Sequence, residues 1–160
     1  MRAHGHAGLN MLLAAPVVAL YPGSIHDPEL WIWLIFFIGM ATWPDVDLRL
    51  EIKHRSYTHT ILGSLIFGIL AASITASCVP ECMLQGFLGG FAGSLGHIVG
   101  DALTCMKFKP FWPLNSREVG FCFFKSSDKR VNSFLAKAGS ITLSLALVAN
   151  VLLKVRVIAG

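Results

Sequence analysis

Seven residues in an otherwise apolar chain have the types and spacing to hold a metal ion. They are His6, then Asp45 and Asp47 in WPDVDL, His54 and His59 in HRSYTHT, and His97 and Asp101 in HIVGDALT. Imidazole and carboxylate are ligands suited to zinc, manganese or iron. His97 and Asp101 stand four apart, so on a helix they project from one face, one turn from each other. An ionisable group inside a transmembrane helix costs about 2.5–3.5 kcal/mol at its centre, so Asp101 needs a partner, and a metal supplies one. Taken singly, each residue has a plainer explanation. A lone histidine is usually a hydrogen-bonded structural residue, PDVD reads as a turn and helix cap, and Arg55 reads as a membrane anchor. The conjunction favours a metal site. Seven side chains exceed the needs of one tetrahedral ion, so a divalent metal, zinc or manganese, is expected as one or two ions.

The chemistry expected of such a site is hydrolysis, with the metal acidifying water. Asp47 or Asp101, whichever is not a ligand, would serve as general base. Arg55, with Arg117, would steady developing negative charge. A site at a membrane face suits a phosphoester or lipid-like substrate. The rival reading is a non-enzymatic adaptor whose metal staples helix ends and whose basic loop meets a cytosolic protein partner. A saturated ligand set would favour it, since catalytic sites keep an open position. A transporter is disfavoured, because the ligands cluster at one face with no charged path through the helices. His4 and His26 lack partners at motif spacing and read as surface residues.

The elements that must position these groups are membrane helices. The 160 residues are 54% hydrophobic and 14% charged, with mean hydropathy +0.64; soluble domains are about a quarter charged. One all-α integral membrane domain, 1–160, is expected, with about five apolar helices at 8–21, 30–43, 60–79, 83–104 and 134–153. The first is broken by Pro16, and the first two are short for a crossing of about 20 residues. Arg2 precedes the first segment without a small-residue cleavage site, so that segment reads as a retained helix. Helix is the spanning form expected, because lipid offers no partner to a free amide. Gly86, Gly89, Gly90, Gly93, Gly96 and Gly100 form three small-xxx-small pairs, which let helix backbones approach closely.

Loop charges set the orientation. Loop 44–59 carries Arg49, Lys53 and Arg55, and loop 105–133 carries Lys107, Lys109, Arg117, Lys125, Lys129 and Arg130. The opposite turns carry only acids, so the basic loops are expected in the cytoplasm. That argument used Lys and Arg alone, yet it puts the metal-ligand candidates on the same side. Lys154 and Arg156 run against it, unless the last segment does not span. The formal charge of +4 reads as this loop bias, and nucleic acid is set aside as a partner. In GFCFFKSSDKR, Phe121, Phe123 and Phe124 beside lysines read as an interfacial stretch meeting membrane lipid. Cys78 and Cys82 bracket VPE and form the pair expected to bridge if that loop faces an oxidising compartment; Cys105 and Cys122 lie far apart in sequence.

GHAGLN near the start, PDVD, HRSYTHT, SLGHIVGDALT and FWPL resemble, in that order, the YdjM-type family of inner-membrane-associated, metal-dependent hydrolases, also labelled LexA-binding. The likeness covers the chain up to about Arg117. It implies a polytopic inner-membrane protein with a His/Asp metal centre made of His6, Asp45, Asp47, His54, His59, His97 and Asp101. Arg55, Thr58 and Thr104 would support that set. The chain departs from the pattern at Leu48, where a histidine is common, in the short linker LRLEIK, and in CMKFKPFWPL.

Overall fold

Helices two, four and six start where the sequence supplies a start signal. The computed structural model describes residues 1–49 and 55–159. Helix α1 is Ala3–Ala19, α2 Pro28–Gly39, α3 Val46–Arg49, α4 Ile61–Cys78, α5 Met83–Ala102 and α6 Lys129–Ala159. Pro28 opens α2 at its first turn beside Glu29, where a missing N–H costs nothing and an acid meets the helix dipole. Thr60 caps α4, its Oγ1 accepting from Gly63 N at 2.9 Å. Asp128 does the same for α6, accepting from Arg130 N at 2.8 Å and Val131 N at 3.2 Å. Such caps satisfy amides that the helix itself leaves unbonded.

The chain is all-helical; isolated bridges join Thr104 to Phe124 and Phe108 to Val119, without a strand among the described residues. The expected five apolar helices are slightly too many as membrane crossings. Among the described residues, three helical stretches are long and apolar enough: Ile61–Cys78, Pro80–Ala102 and Lys129–Val155. With 17 and 12 residues, α1 and α2 reach only about 26 and 18 Å at 1.5 Å per residue, short of a core of about 30 Å. Pro16 does not break α1, which runs on to Ala19. The last segment begins earlier than expected and forms a helix of 31 residues.

Helix α5 is the hub, and its glycines are divided among three neighbours. A side chain at Gly86 or Gly90 would strike Thr75 and Ala71 of α4. One at Gly89 or Gly93 would strike the Trp33 and Phe37 backbone of α2, and one at Gly96 or Gly100 would strike Asn10 and His6 of α1. Each pair is one i, i+4 step; Gly89/Gly93 and Gly96/Gly100 stand seven apart, two turns along much the same face, and Gly86/Gly90 lie on a neighbouring one, so three backbones come close to one helix. Asn10 locks the junction, donating to Phe37 O at 2.7 Å and Gly93 O at 2.9 Å. Helix α6 lies against α1, where Gly8 and Gly139 meet backbone to backbone. Ala14, Val18, Leu30, Leu34, Phe37 and Leu143 form the core between α1, α2 and α6. The outer face of α4 leaves Ile61, Leu62, Leu65, Ile66, Ile69 and Ile74 exposed, an apolar stripe that bilayer lipid covers.

The cysteines pair differently from expectation. Cys105 and Cys122 form the disulfide, while Cys78 is exposed and Cys82 buried, both as free thiols. Sequence separation misled here. The Phe121 N–H bonds to Ala102 O and the Phe123 N–H to Leu103 O, so the chain folds back alongside the end of α5 and brings Cys122 to Cys105.

Candidate metal centre

Five elements converge at one end of the bundle. The 3-10 turn Trp43–Asp45 and α3 deliver Asp45 and Asp47; the turn Tyr57–His59, just ahead of the Thr60 cap, delivers His59. The last turns of α5 deliver His97 and Asp101, and the first turns of α1 deliver His6. His6, Asp47, His59, His97 and Asp101 are almost wholly buried, while the Asp45 side chain is 24% exposed. His54 lies outside the described residues.

Four donor atoms face a common point. His59 Nε2 and His97 Nε2 are 3.1 Å apart. His59 Nε2 is 3.4 Å from both Asp45 Oδ1 and Asp101 Oδ2, and His97 Nε2 is 3.6 Å from each of the same oxygens. A tetrahedral ion with arms of about 2.0–2.1 Å has edges of about 3.3–3.4 Å, so these five edges fit such an ion. The hydrogen bonds behind the rings agree. His97 Nδ1 stands 2.7 Å from Ala41 O, so Nδ1 carries the proton and Nε2 presents a lone pair. His59 Nδ1 stands 3.0 Å from Thr58 Oγ1 and 3.3 Å from Asp47 Oδ2, which sets the same tautomer. Two lone pairs facing each other beside two carboxylate oxygens call for a cation. Asp101 Oδ2, moreover, is buried and receives no hydrogen bond from any described residue. The residues present fit a divalent ion.

The supporting contacts are equally directed. Asp47 Oδ2 accepts from Arg55 N at 3.0 Å and from Thr58 Oγ1 at 3.0 Å. Arg55 adopts φ 59°, a region costly for a side-chain residue and typical of functional sites. Its Nη2 pairs with Asp101 Oδ1 at 2.8 Å and donates to Thr104 Oγ1 at 3.2 Å, while Nη1 donates to Met106 O at 2.6 Å. The Oδ1 side of Asp101 is therefore held by the Arg55 guanidinium. The Met1 amine also pairs with Asp101 Oδ1, at 2.7 Å. His6 stacks on His97 at 3.8 Å and 11°, with Nε2 3.3 Å from Asp101 Oδ1. Burial pushes the His6 imidazole down to about 4, against the pull of Asp101, so the ring is neutral. Burial alone would lower His59 and raise Asp45. The facing carboxylates of Asp101 and Asp45 hold His59 above its usual range, and the histidines hold Asp45 below its own.

The expected set is thus brought together, apart from His54, and sorted. Asp45, His59, His97 and Asp101 point at one centre, Asp47 stands behind His59, and His6, stacked on His97, forms a second candidate group with Asp45 and His97. Thr58 and Thr104 lie where the resemblance implied, each bonded to a member of the set. Arg117 is exposed on the outer loop, and Phe121 and Phe123 are exposed and stacked, 6.0 Å apart. Sequence reasoning missed the Ala41 carbonyl and Phe108. The first is a backbone atom with no sequence signal. The second is 3% exposed, edge-on to His59 at 6.3 Å and under the Arg55 guanidinium; its place between Lys107 and Lys109 was a hint.

An all-helical membrane protein with a buried His/Asp cluster at one end of its helices is the class that this fold and site define. The chain belongs to the YdjM inner membrane protein family, whose model matches residues 1–159. No curated protein and no solved structure matches it.

Proposed function

We propose that this protein is a membrane-bound, metal-dependent hydrolase that acts at the cytoplasmic face on a phosphoester or lipid-like substrate. The convergence of His59 Nε2, His97 Nε2, Asp45 Oδ1 and Asp101 Oδ2 within 3.1–3.6 Å carries the reading. When bound, a divalent ion such as zinc or manganese supplies Lewis-acid chemistry, polarising an ester oxygen and making water acidic near neutral pH. His59, His97 and Asp101 form one candidate ligand group and His6, Asp45 and His97 a second, so the donor set suits one or two ions.

The chain's own residues divide the remaining work. Asp45 is the carboxylate of the centre that reaches solvent, at 24% against 1% for Asp47 and Asp101, so a proton released there passes to Asp45. Asp47 orients His59, directly and through Thr58, rather than acting as base. Arg55 holds Asp101 in place and lines the neighbouring cavity. Phe108 and the stacked His6 keep water off the inner side of the rings.

A closed structural site in an adaptor is the second reading, and the donor count favours it, because four side chains saturate a tetrahedral ion. Metal analysis of the purified protein together with phosphodiester cleavage, with His97→Ala as control, separates the two. One or two ions per chain and cleavage lost in the variant support the hydrolase. Bound metal with no cleavage supports the adaptor, and protein that binds no divalent ion overturns both.

A further inference from the structure

Beside the cluster, two cavities flank Trp112 and differ in chemistry. The first, about 340 Å³, is lined by Arg55, Lys107 and Lys109, with Glu118 as its one acid and Phe108 and Trp112 among its walls. The second, about 630 Å³, shares Trp112 and is walled by Ile61, Leu62, Phe111, Pro113 and Leu114. The loop that forms both is tied to the start of α4, the Ile61 N–H donating to Pro110 O at 2.9 Å, and Trp112 meets Tyr57 edge-on at 4.9 Å.

Three features say what occupies them. The Arg55 side chain is 4% exposed, yet its Nε is buried without a hydrogen-bond partner. Arg55 lines the first cavity with Lys107 and Lys109, and a cationic wall of this kind suits an anion. Lys107 and Lys109 add two flexible charges at the mouth. Ile61 and Leu62 of the second cavity, 41% and 45% exposed, begin the apolar stripe of the membrane-spanning α4. The groove is therefore continuous with lipid, and Leu114, 97% exposed at its rim, is placed to enter the bilayer interface.

We propose that these cavities form one binding site for an anionic phospholipid, the phosphate held by Arg55, Lys107 and Lys109 and the acyl chains laid along Ile61, Leu62, Phe111 and Leu114. The Arg55 guanidinium joins this site to Asp101, so the headgroup ester is presented beside the metal-ligating cluster. The fate of the lipid rests on the hydrolase reading; its binding does not.

The test uses purified protein in mixed micelles, with tryptophan quenching by brominated phosphatidylglycerol, brominated phosphatidylcholine, or neither plus inorganic phosphate. The measurements are made with and without EDTA, so that loss of the ion and loss of the lipid site are read separately. Phosphatidylglycerol is expected to bind at least tenfold more tightly than phosphatidylcholine, with or without the ion. A Lys107→Gln/Lys109→Gln variant is expected to lose roughly 30-fold for phosphatidylglycerol while keeping its metal. Leu62→Gln is expected to weaken lipid and leave inorganic phosphate unchanged. Equal binding of the two lipids, an unchanged double variant, or inorganic phosphate competing at the affinity of the lipid would each overturn the proposal.

Discussion

Replacing Asp47 with Asn tests the geometry of the centre most directly. Asp47 is 1% exposed, with Oδ2 3.3 Å from His59 Nδ1 and accepting from Arg55 N and Thr58 Oγ1 at 3.0 Å each. Asn has the same shape and retains an acceptor for the Arg55 and Thr58 bonds, so the fold is expected to survive. What it removes is the negative charge that favours a proton on His59 Nδ1 and makes Nε2 a stronger donor. Loss of a hydrogen-bond partner behind a metal-bound histidine costs about 10- to 100-fold in affinity, or about 1.4–2.7 kcal/mol. The assay is competition with a chromophoric chelator in detergent, beside metal counting by mass spectrometry. The expected result is metal still bound, 10- to 100-fold more weakly. Affinity unchanged within twofold would mean that Asp47 does not act through His59. A folded variant holding no ion would make Asp47 itself a ligand. Either outcome refutes the arrangement derived above.

Two further outcomes follow from the fold. A methyl group at Gly93 would lie 2.8 Å from Phe37 Cα, whereas at Gly39 nothing stands within 4 Å; Gly93→Ala is therefore expected to destabilise by about 1–3 kcal/mol and Gly39→Ala to be neutral or better. Equal thermal midpoints in detergent for the two variants would refute the close crossing of α5 and α2. The basic loops argue for a cytoplasmic site and the Cys105–Cys122 bridge for an oxidising compartment. With the site inside, Cys78, exposed at the far end of α4, reacts with an impermeant maleimide added to intact cells carrying serine at the other three cysteines. Labelling only after permeabilisation reverses the orientation.

Much of this protein was legible in its sequence, because lipid leaves a chain few options. Apolar stretches of about 20 residues had to be helices, and α4 and α5 end within two residues of where hydropathy put them. Buried ionisable groups are costly enough in such a chain that His97 and Asp101, one helical turn apart, already marked a site. The glycine spacing on α5 announced close helix crossings. The tertiary structure alone decided which glycine pair met which helix, because that depends on how three helices pack around one. It alone decided the cysteine pairing, which the backbone return beside Leu103 imposes. The roles within the His/Asp set were also beyond the sequence. Asp45 and Asp47 are two residues apart and chemically identical, yet one points into the centre and the other stands behind His59. A carbonyl at Ala41 and a hydroxyl at Thr58 set which nitrogen of each ring faces inward, and side-chain direction is fixed by packing that no spacing rule contains.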